Sequence, residues 1–201
     1  MADNKAITDK SFISWRSEFY RKGIHLLSLS MPVMFFLLKP RIVYIFLGSG
    51  LLLFVVYDLL RFFGSNSIKK FLYKNSGFLL RPREKKSFSG ATTIVLSGLL
   101  VYYLFDLRVA AASMIIIVIG DTAAAIIGRR FGKIKIYGKT LEGAFAFIVT
   151  TGIVVYFIPD LPYRIAFSGV LLGSFVELLP IPIDDNLTVP LAAGGVMQML
   201  I

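Results

Sequence analysis

The chain contains no cysteine among its 201 residues, so disulfides and thiolate-held metal sites are excluded. It has one histidine, His25, and one tryptophan, Trp15. Charge is scarce, at 17% of residues, and acids are the scarcer sign, 12 against 22 Lys and Arg, which gives a net charge of +10. Met1 to Lys22 is polar, and the apolar run that follows lacks a small-residue cleavage site, so no signal peptide is expected there. There is no internal repeat and no low-complexity linker, which points to one domain over 1–201. What fills the chain instead is apolar: 56% hydrophobic residues and a mean hydropathy of +0.75. A soluble domain could not hide so much apolar surface. The expected fold is all-α, a polytopic membrane bundle with amphipathic helices at the interface.

Read in order, residues 11–22 suit an interfacial helix, with Phe12, Trp15 and Phe19 on one face. About seven spans follow, near 24–38, 42–63, 90–105, 107–128, 141–158, 163–179 and 187–201. The last is short for a bilayer core of about 30 Å. Residues 65–80 form a second amphipathic segment, its Lys69, Lys70 and Lys74 within reach of headgroups. With the N-terminus inside, the cytoplasmic segments hold five Lys/Arg in 5–22, eight in 61–86 and five in 129–139. The outer turns hold only Lys39, Arg41, Arg108 and Arg164, as the positive-inside rule requires. This topology gathers Glu18, Asp58, Asp121, Glu142, Glu177, Asp184 and Asp185 at or just below the cytoplasmic surface. Acids at membrane depth face a protein interior or a wet cavity, so a cytoplasm-facing pocket among helix ends is expected.

The richest stretch is GDTAAAIIGRRFGKIKIYGKTLEG, 120–143. Asp121 lies within an apolar helix, and Ala124, Ala125 and Gly128 leave a thin face beside it. That favours a metal or phosphate site over a polar residue that merely bonds across helices. Arg129, Arg130, Lys133, Lys135 and Lys139 follow, with Gly128, Gly132, Gly138 and Gly143 letting the backbone approach something closely. The Gly-Lys-Thr at 138–140 is not a P-loop, because Gly132 lies one residue too far upstream and no strand precedes it. Thr140 reads as an N-cap for the fifth helix, whose free N–H groups would share an anion with Lys139. Glu142 can complement that helix dipole or bind a metal. Asp184-Asp185-Asn186 can likewise cap the last helix or hold an oxygen-loving cation such as Mg²⁺. Glu177 is harder to explain as a cap. Glu18, Arg21, Lys22 and His25 share one side of a helix, which leaves His25 open as a structural residue or a base.

Together, EFYRKGIH (18–25), EKKSFSGAT (84–92), the 120–143 block and VELLPIPIDDNLTVPLAAG (176–194) resemble the CTP-dependent lipid kinases: dolichol kinase, phytol kinase and the yeast-type diacylglycerol kinase. The middle block is also similar to phosphatidate cytidylyltransferase, but no histidine follows His25 to complete that enzyme's C-terminal signature. The resemblance implies CTP as phosphoryl donor, Mg²⁺, and a membrane lipid alcohol as acceptor: a polyprenol or dolichol, a phytol-like prenol, or diacylglycerol. Within these blocks, charge and place suggest Asp121, Lys139 and His25 for catalysis. Gly128, Arg129, Gly132, Lys133, Lys139, Thr140, Gly143, Arg21 and Lys22 would bind nucleotide. Asp121, Glu142, Asp184 and Asp185 would bind metal, and Glu18, Gly90, Glu177 and Asn186 would complete the pocket. The expected partners are those two substrates and the bilayer, without nucleic acid, and nothing fixes an oligomeric state. The expected location is the cell membrane, or the endoplasmic reticulum in a eukaryote, with N-terminus and site cytoplasmic. Two rival readings are cytidylyl transfer to phosphatidate and a cation-coupled membrane transporter.

Overall fold

A computed structural model describes residues 15–80, 84 and 87–201, with side chains from Phe19 onward. The architecture is helical: α1 (Trp15–Leu27), α2 (Ser30–Leu37), α3 (Pro40–Phe63), α4 (Asn66–Ser76), α5 (Gly90–Leu104), α6 (Leu107–Phe131), α7 (Leu141–Val155), α8 (Tyr163–Leu178) and α9 (Asp185–Leu200). A short 3₁₀ turn covers Gly77–Leu79, and a two-stranded antiparallel hairpin, β1 (Lys135–Ile136) and β2 (Lys139–Thr140), interrupts the α6–α7 connection.

α6 is the axis of the bundle, in contact with α1, α2, α5, α7, α8 and α9. Its small residues make that possible: Ala110, Ala111 and Ala112 are fully buried, together with Val109, Met114, Ile116, Ile117 and Val118. Small side chains bring neighbouring backbones close, which is how apolar helices associate where lipid removes the usual hydrophobic drive. Gly120 sits against the ring of the fully buried Phe147, and a Cβ there would collide with it.

Among the described residues two helices, α3 and α6, are long and apolar enough to cross a membrane, each with a hydropathy of 2.1. They are buried very differently: 56% of the apolar window of α6 lies inside the protein, against 17% for α3. Ile45, Phe46, Leu52 and Leu53 of α3 are more than half exposed. A 24-residue helix of that composition facing outward has an apolar environment as its natural surroundings, which points to membrane association.

The first apolar run, expected to be continuous over 24–38, is broken at Ser28–Leu29. Pro32 has no N–H to donate to the carbonyl of Ser28, and Met31 N–H takes that carbonyl at 3.0 Å instead. The turn tightens through Ser28 N–H to His25 O at 2.9 Å and Leu29 N–H to Leu26 O at 3.0 Å. The amphipathic 65–80 segment forms as expected. Ser65 caps α4 by accepting from Ile68 N–H, and Tyr57 ties the helix end back to α3 through Ser76 Oγ at 2.5 Å. The expected interfacial helix over 11–22 lies within the described residues only from Trp15.

The two ends of the bundle differ in chemistry. At one end Gln198 Nε2 donates to Asp106 Oδ2 at 3.0 Å, Asp106 N–H donates to Gln198 Oε1 at 2.8 Å, and the exposed Arg108 pairs with Asp160 at 3.1 Å. The other end carries the hairpin, the starts of α5, α7 and α9, and nearly all of the acids and cations singled out above.

Candidate active site at the charged end of the bundle

The hairpin is the local device that aims Lys139. Tyr137 and Gly138 have φ of +47° and +86°, two successive left-handed residues, as a two-residue type I′ turn demands. Ile136 then faces Lys139 across the ladder. Lys139 turns inward while Tyr137, 74% exposed, forms the tip. Its ammonium lies 3.0 Å from Glu177 Oε1 and 3.0 Å from Asp185 Oδ2, and it also donates to the backbone carbonyl of Glu177. β2 thereby joins the end of α8 to the start of α9. These strands are absent from the sequence reading, which has a plain loop here; two-residue strands are too short to show alternation.

A second lysine–carboxylate pair forms between α1 and α6. Lys22, only 3% exposed, donates to Asp121 Oδ2 and to the Asp121 backbone carbonyl at 2.8 Å. His25, one turn on, places Nε2 3.6 Å from the same carboxylate oxygen. Lys22 and His25 therefore do share the side of α1 that faces the protein. Arg21 is half-buried, and the Glu18 side chain lies outside the described residues. The two pairs belong to one region, because Glu177 lies within electrostatic reach of Asp121, Lys139 and Asp185.

A third contact set joins α5 to α9. Asp184 caps α9 by accepting from Asn186 N–H at 2.9 Å, and its Oδ1 also accepts from Thr93 Oγ1 at 3.2 Å. Asn186 Nδ2 donates to the Gly90 carbonyl at 3.3 Å. A Cβ on Gly90 would come within 3.2 Å of that amide and 3.5 Å of Glu84 Oε1. Thr93 and Glu84 are additions that the sequence reading did not pick out as site residues. The signal for Glu84 was faint, a lone acid inside a basic run.

Several candidates occupy places that differ from a simple phosphate cradle. Gly128, Gly132 and Gly143 all press on Thr140, so the close approach they permit is that of α6 to α7. Thr140 caps α7 as expected, accepting from Gly143 N–H at 3.2 Å, and Leu141 N–H donates to Ile134 O at 3.0 Å. Two of the N–H groups expected to face an anion with Lys139, those of Leu141 and Gly143, are thus engaged in closing the turn. Glu142 accepts from the amides of Lys133, at 3.0 Å, and Ile134, which draws the post-α6 loop onto the start of α7. Lys133 is exposed, and Arg129 is half-buried at the last turn of α6.

Asp58 is also removed from the pocket lining in which topology had placed it. It is fully buried and pairs with the buried Arg61 at 2.6 Å. Its Oδ2 accepts from Ser89 N–H at 2.9 Å, Ser89 Oγ at 3.1 Å and Thr92 Oγ1 at 2.6 Å. Arg61 Nη2 donates to Ser87 O at 2.6 Å, and Nη1 donates to Glu84 O. This network fastens the segment before α5 to the end of α3, and so sets where Gly90 and Thr93 meet α9. The i,i+3 spacing on one helix face permits the pair but says nothing of its other partners.

Among the described residues, no three His, Asp or Glu side chains cluster as a ready metal cage. Asp121, Glu177 and Asp185 instead face lysines, while Asp184 and Glu142 accept from uncharged donors; all offer oxygen only.

The fold and site define a membrane-associated helical protein with a lysine–carboxylate centre at one end. The chain is 30% identical over 190 residues to the uncharacterized protein RP860 of Rickettsia prowazekii, a match covering 86% of this chain and 89% of that one. It belongs to the family of that protein. It is 31% identical over 126 residues to the uncharacterized protein MJ1137 of Methanocaldococcus jannaschii, covering 59% of this chain and 63% of that one. It is also 34% identical over 123 residues to probable phytol kinase 1, chloroplastic, of Glycine max, covering 51% of this chain and 39% of the plant protein. No family model matches, and no solved structure matches.

Proposed function

We propose that this protein is a membrane lipid kinase, transferring the γ-phosphoryl group of CTP to the hydroxyl of a lipid alcohol and releasing CDP and the lipid monophosphate. The observation that carries the reading is the convergence of Lys22–Asp121 with Lys139–Glu177–Asp185 at one end of an apolar bundle. The similarity of half the chain to a probable phytol kinase supports it and favours a prenol-type acceptor. In this reading α1–α2, α3 and α5 to α9 make seven spans, with the N-terminus and charged end cytoplasmic. Helices of 15 or 16 residues, such as α7 and α9, reach about 22–24 Å, so the site lies near headgroup depth, where a lipid hydroxyl would be.

Phosphoryl transfer needs positioning and charge neutralisation more than covalent chemistry. Lys139 and Lys22, with Arg21, Arg129 and Lys133 around them, supply positive charge for a triphosphate. Asp121, with its side chain 15% exposed, is placed to take the acceptor's proton, and His25 stands beside it. The donor set fits Mg²⁺ in kind, since that ion is usually bound through one or two carboxylates with phosphates and water completing the shell. Asp121 with Asp185 or Glu177 would hold it, and Asp184 is available from α9; Glu142, bonded to two backbone amides, fits least. When bound, Mg²⁺ supplies charge neutralisation across the β- and γ-phosphates.

The test is label transfer from γ-labelled CTP and, separately, ATP, with purified protein and a panel of lipid alcohols. A labelled lipid monophosphate formed with CDP is expected. A CDP-lipid formed with pyrophosphate would make the protein a cytidylyltransferase, and cation flux in liposomes without any lipid product would make it a transporter.

A further inference from the structure

The bundle has a furrow on its outer face between α7 and α8. Its first section is a cavity of about 860 Å³ that begins at Ile134, Leu141, Glu142 and Leu178, beside the hairpin. A second section of about 450 Å³ continues it, sharing Ile148 and Val149 and ending among Tyr156, Phe157, Tyr163 and Phe167. Those rings pack on one another, Tyr156 on Tyr163 at 5.6 Å and Tyr163 on Phe167 at 5.4 Å. The two aliphatic hydroxyls that line the first section are satisfied inside their own walls. Thr150 Oγ1 donates to Ala146 O at 2.7 Å, and Ser174 Oγ donates to Ala144 O at 3.3 Å. Between its mouth and the tyrosines at its far end the furrow therefore offers hydrocarbon contact.

The mouth is different. Leu178 follows Glu177, whose carbonyl accepts from Lys139, and Ile134 follows Lys133, whose amide is held by Glu142. The charged residue that lines the mouth is Glu142, and Lys133 and Lys139 are bonded to it and to the neighbour of Leu178, so two cations stand close to this end of the furrow. The length matches a chain: the 15 residues of α7 rise about 22 Å.

We propose that this furrow holds the hydrocarbon chain of the acceptor alcohol, with the hydroxyl at the hairpin and the tail running toward the aromatic cluster. This rests on the kinase reading above. The occupant is a single linear or methyl-branched chain, and the complementarity is that of its two ends: an oxygen that becomes phosphate at the end near Lys133 and Lys139, a tail against the apolar wall of α7 and α8.

Val149 lines both sections and is 41% exposed, so Val149→Trp obstructs the furrow midway. The selectivity for a long-chain over a five-carbon prenol, taken as the ratio of kcat/KM values, should fall at least roughly tenfold, the equivalent of about two buried methylenes. The KM for CTP should not follow. Leu52→Trp, on the outward face of α3 and 66% exposed, is the control and should keep the wild-type ratio. A wild-type ratio in Val149→Trp overturns the assignment while leaving the kinase reading intact. If wild-type protein phosphorylates no lipid alcohol, the kinase reading fails by itself. Photo-crosslinking then decides the furrow separately, using a long-chain alcohol with a diazirine near its tail in nanodiscs. Adducts concentrated in 145–157 and 163–175 support it, and adducts equally frequent on α3 overturn it.

Discussion

Asp121 has two neighbours that can be changed independently. Lys22 neutralises it and His25 stands 3.6 Å away. Asp121→Asn keeps the side chain's shape and its backbone bond to Lys22, so the protein should fold, while label transfer should fall by at least roughly two orders of magnitude, the lower end of the range for a lost acid–base group. Activity within tenfold of wild type at limiting Mg²⁺ would reduce Asp121 to a packing residue. Lys139→Met tests the donor side. A charge-assisted contact contributes about 1.5–3 kcal/mol, so the KM for CTP should rise at least tenfold while that for the lipid alcohol changes little. A change confined to the lipid KM would make the hairpin a membrane anchor. These residues stand out in the sequence because each breaks a local rule: an acid in an apolar run, a lysine at a helix start. Their partners are 99 and 38 residues away, a separation at which no local pattern operates.

At the scale of elements, helix positions were legible to within a few residues for α3 and α5 through α9, because long apolar runs ended by glycine, proline or charge leave little choice. Thr140 and Asp184 are caps as the sequence suggests, and Ser89 caps α5 as well. What could not be read is the connection logic. The start of α5 is set by Asp58 and Arg61 of α3, both fully or almost fully buried. Asp58→Asn leaves the Arg61 guanidinium without its counter-charge, so it should destabilise the protein by about 3–5 kcal/mol, the cost of breaking a buried pair. A detergent-solubilised thermal melt should show a clear fall in Tm, and the 84–89 segment should become the first site of limited proteolysis. The double change Asp58→Asn with Arg61→Met should recover part of the loss, since no uncompensated charge remains. An unaltered melt for Asp58→Asn would show that the clamp does not hold the segment.

For the whole molecule, charge and apolar surface are arranged along one axis. The hairpin and the starts of α5, α7 and α9 lie at one end; the Asp106–Gln198 and Arg108–Asp160 contacts lie at the other. With no native cysteine, single cysteines at 69, 133 and 108 report topology without background. Positions 69 and 133 should label from the same side of sealed vesicles and 108 from the opposite side. Labelling of 69 and 133 from opposite sides would dismantle the seven-span arrangement.

Composition and the order of apolar runs alone determined that the chain is helical, where most helices begin and end, and which acids and lysines stand out, because these follow from period, length and the cost of placing charge in an apolar segment. Only the tertiary structure decided what those residues do to one another. It gave Asp58 to a clamp and Glu142 to a loop, turned three glycines toward Thr140, and brought Asp121, Glu177 and Asp185 into one field with two lysines. The physical reason is that pairing depends on which helix faces meet across α6. That is settled by the packing of small residues such as Ala110–Ala112 against six neighbouring helices, a sum of many weak contacts that no single stretch of sequence contains.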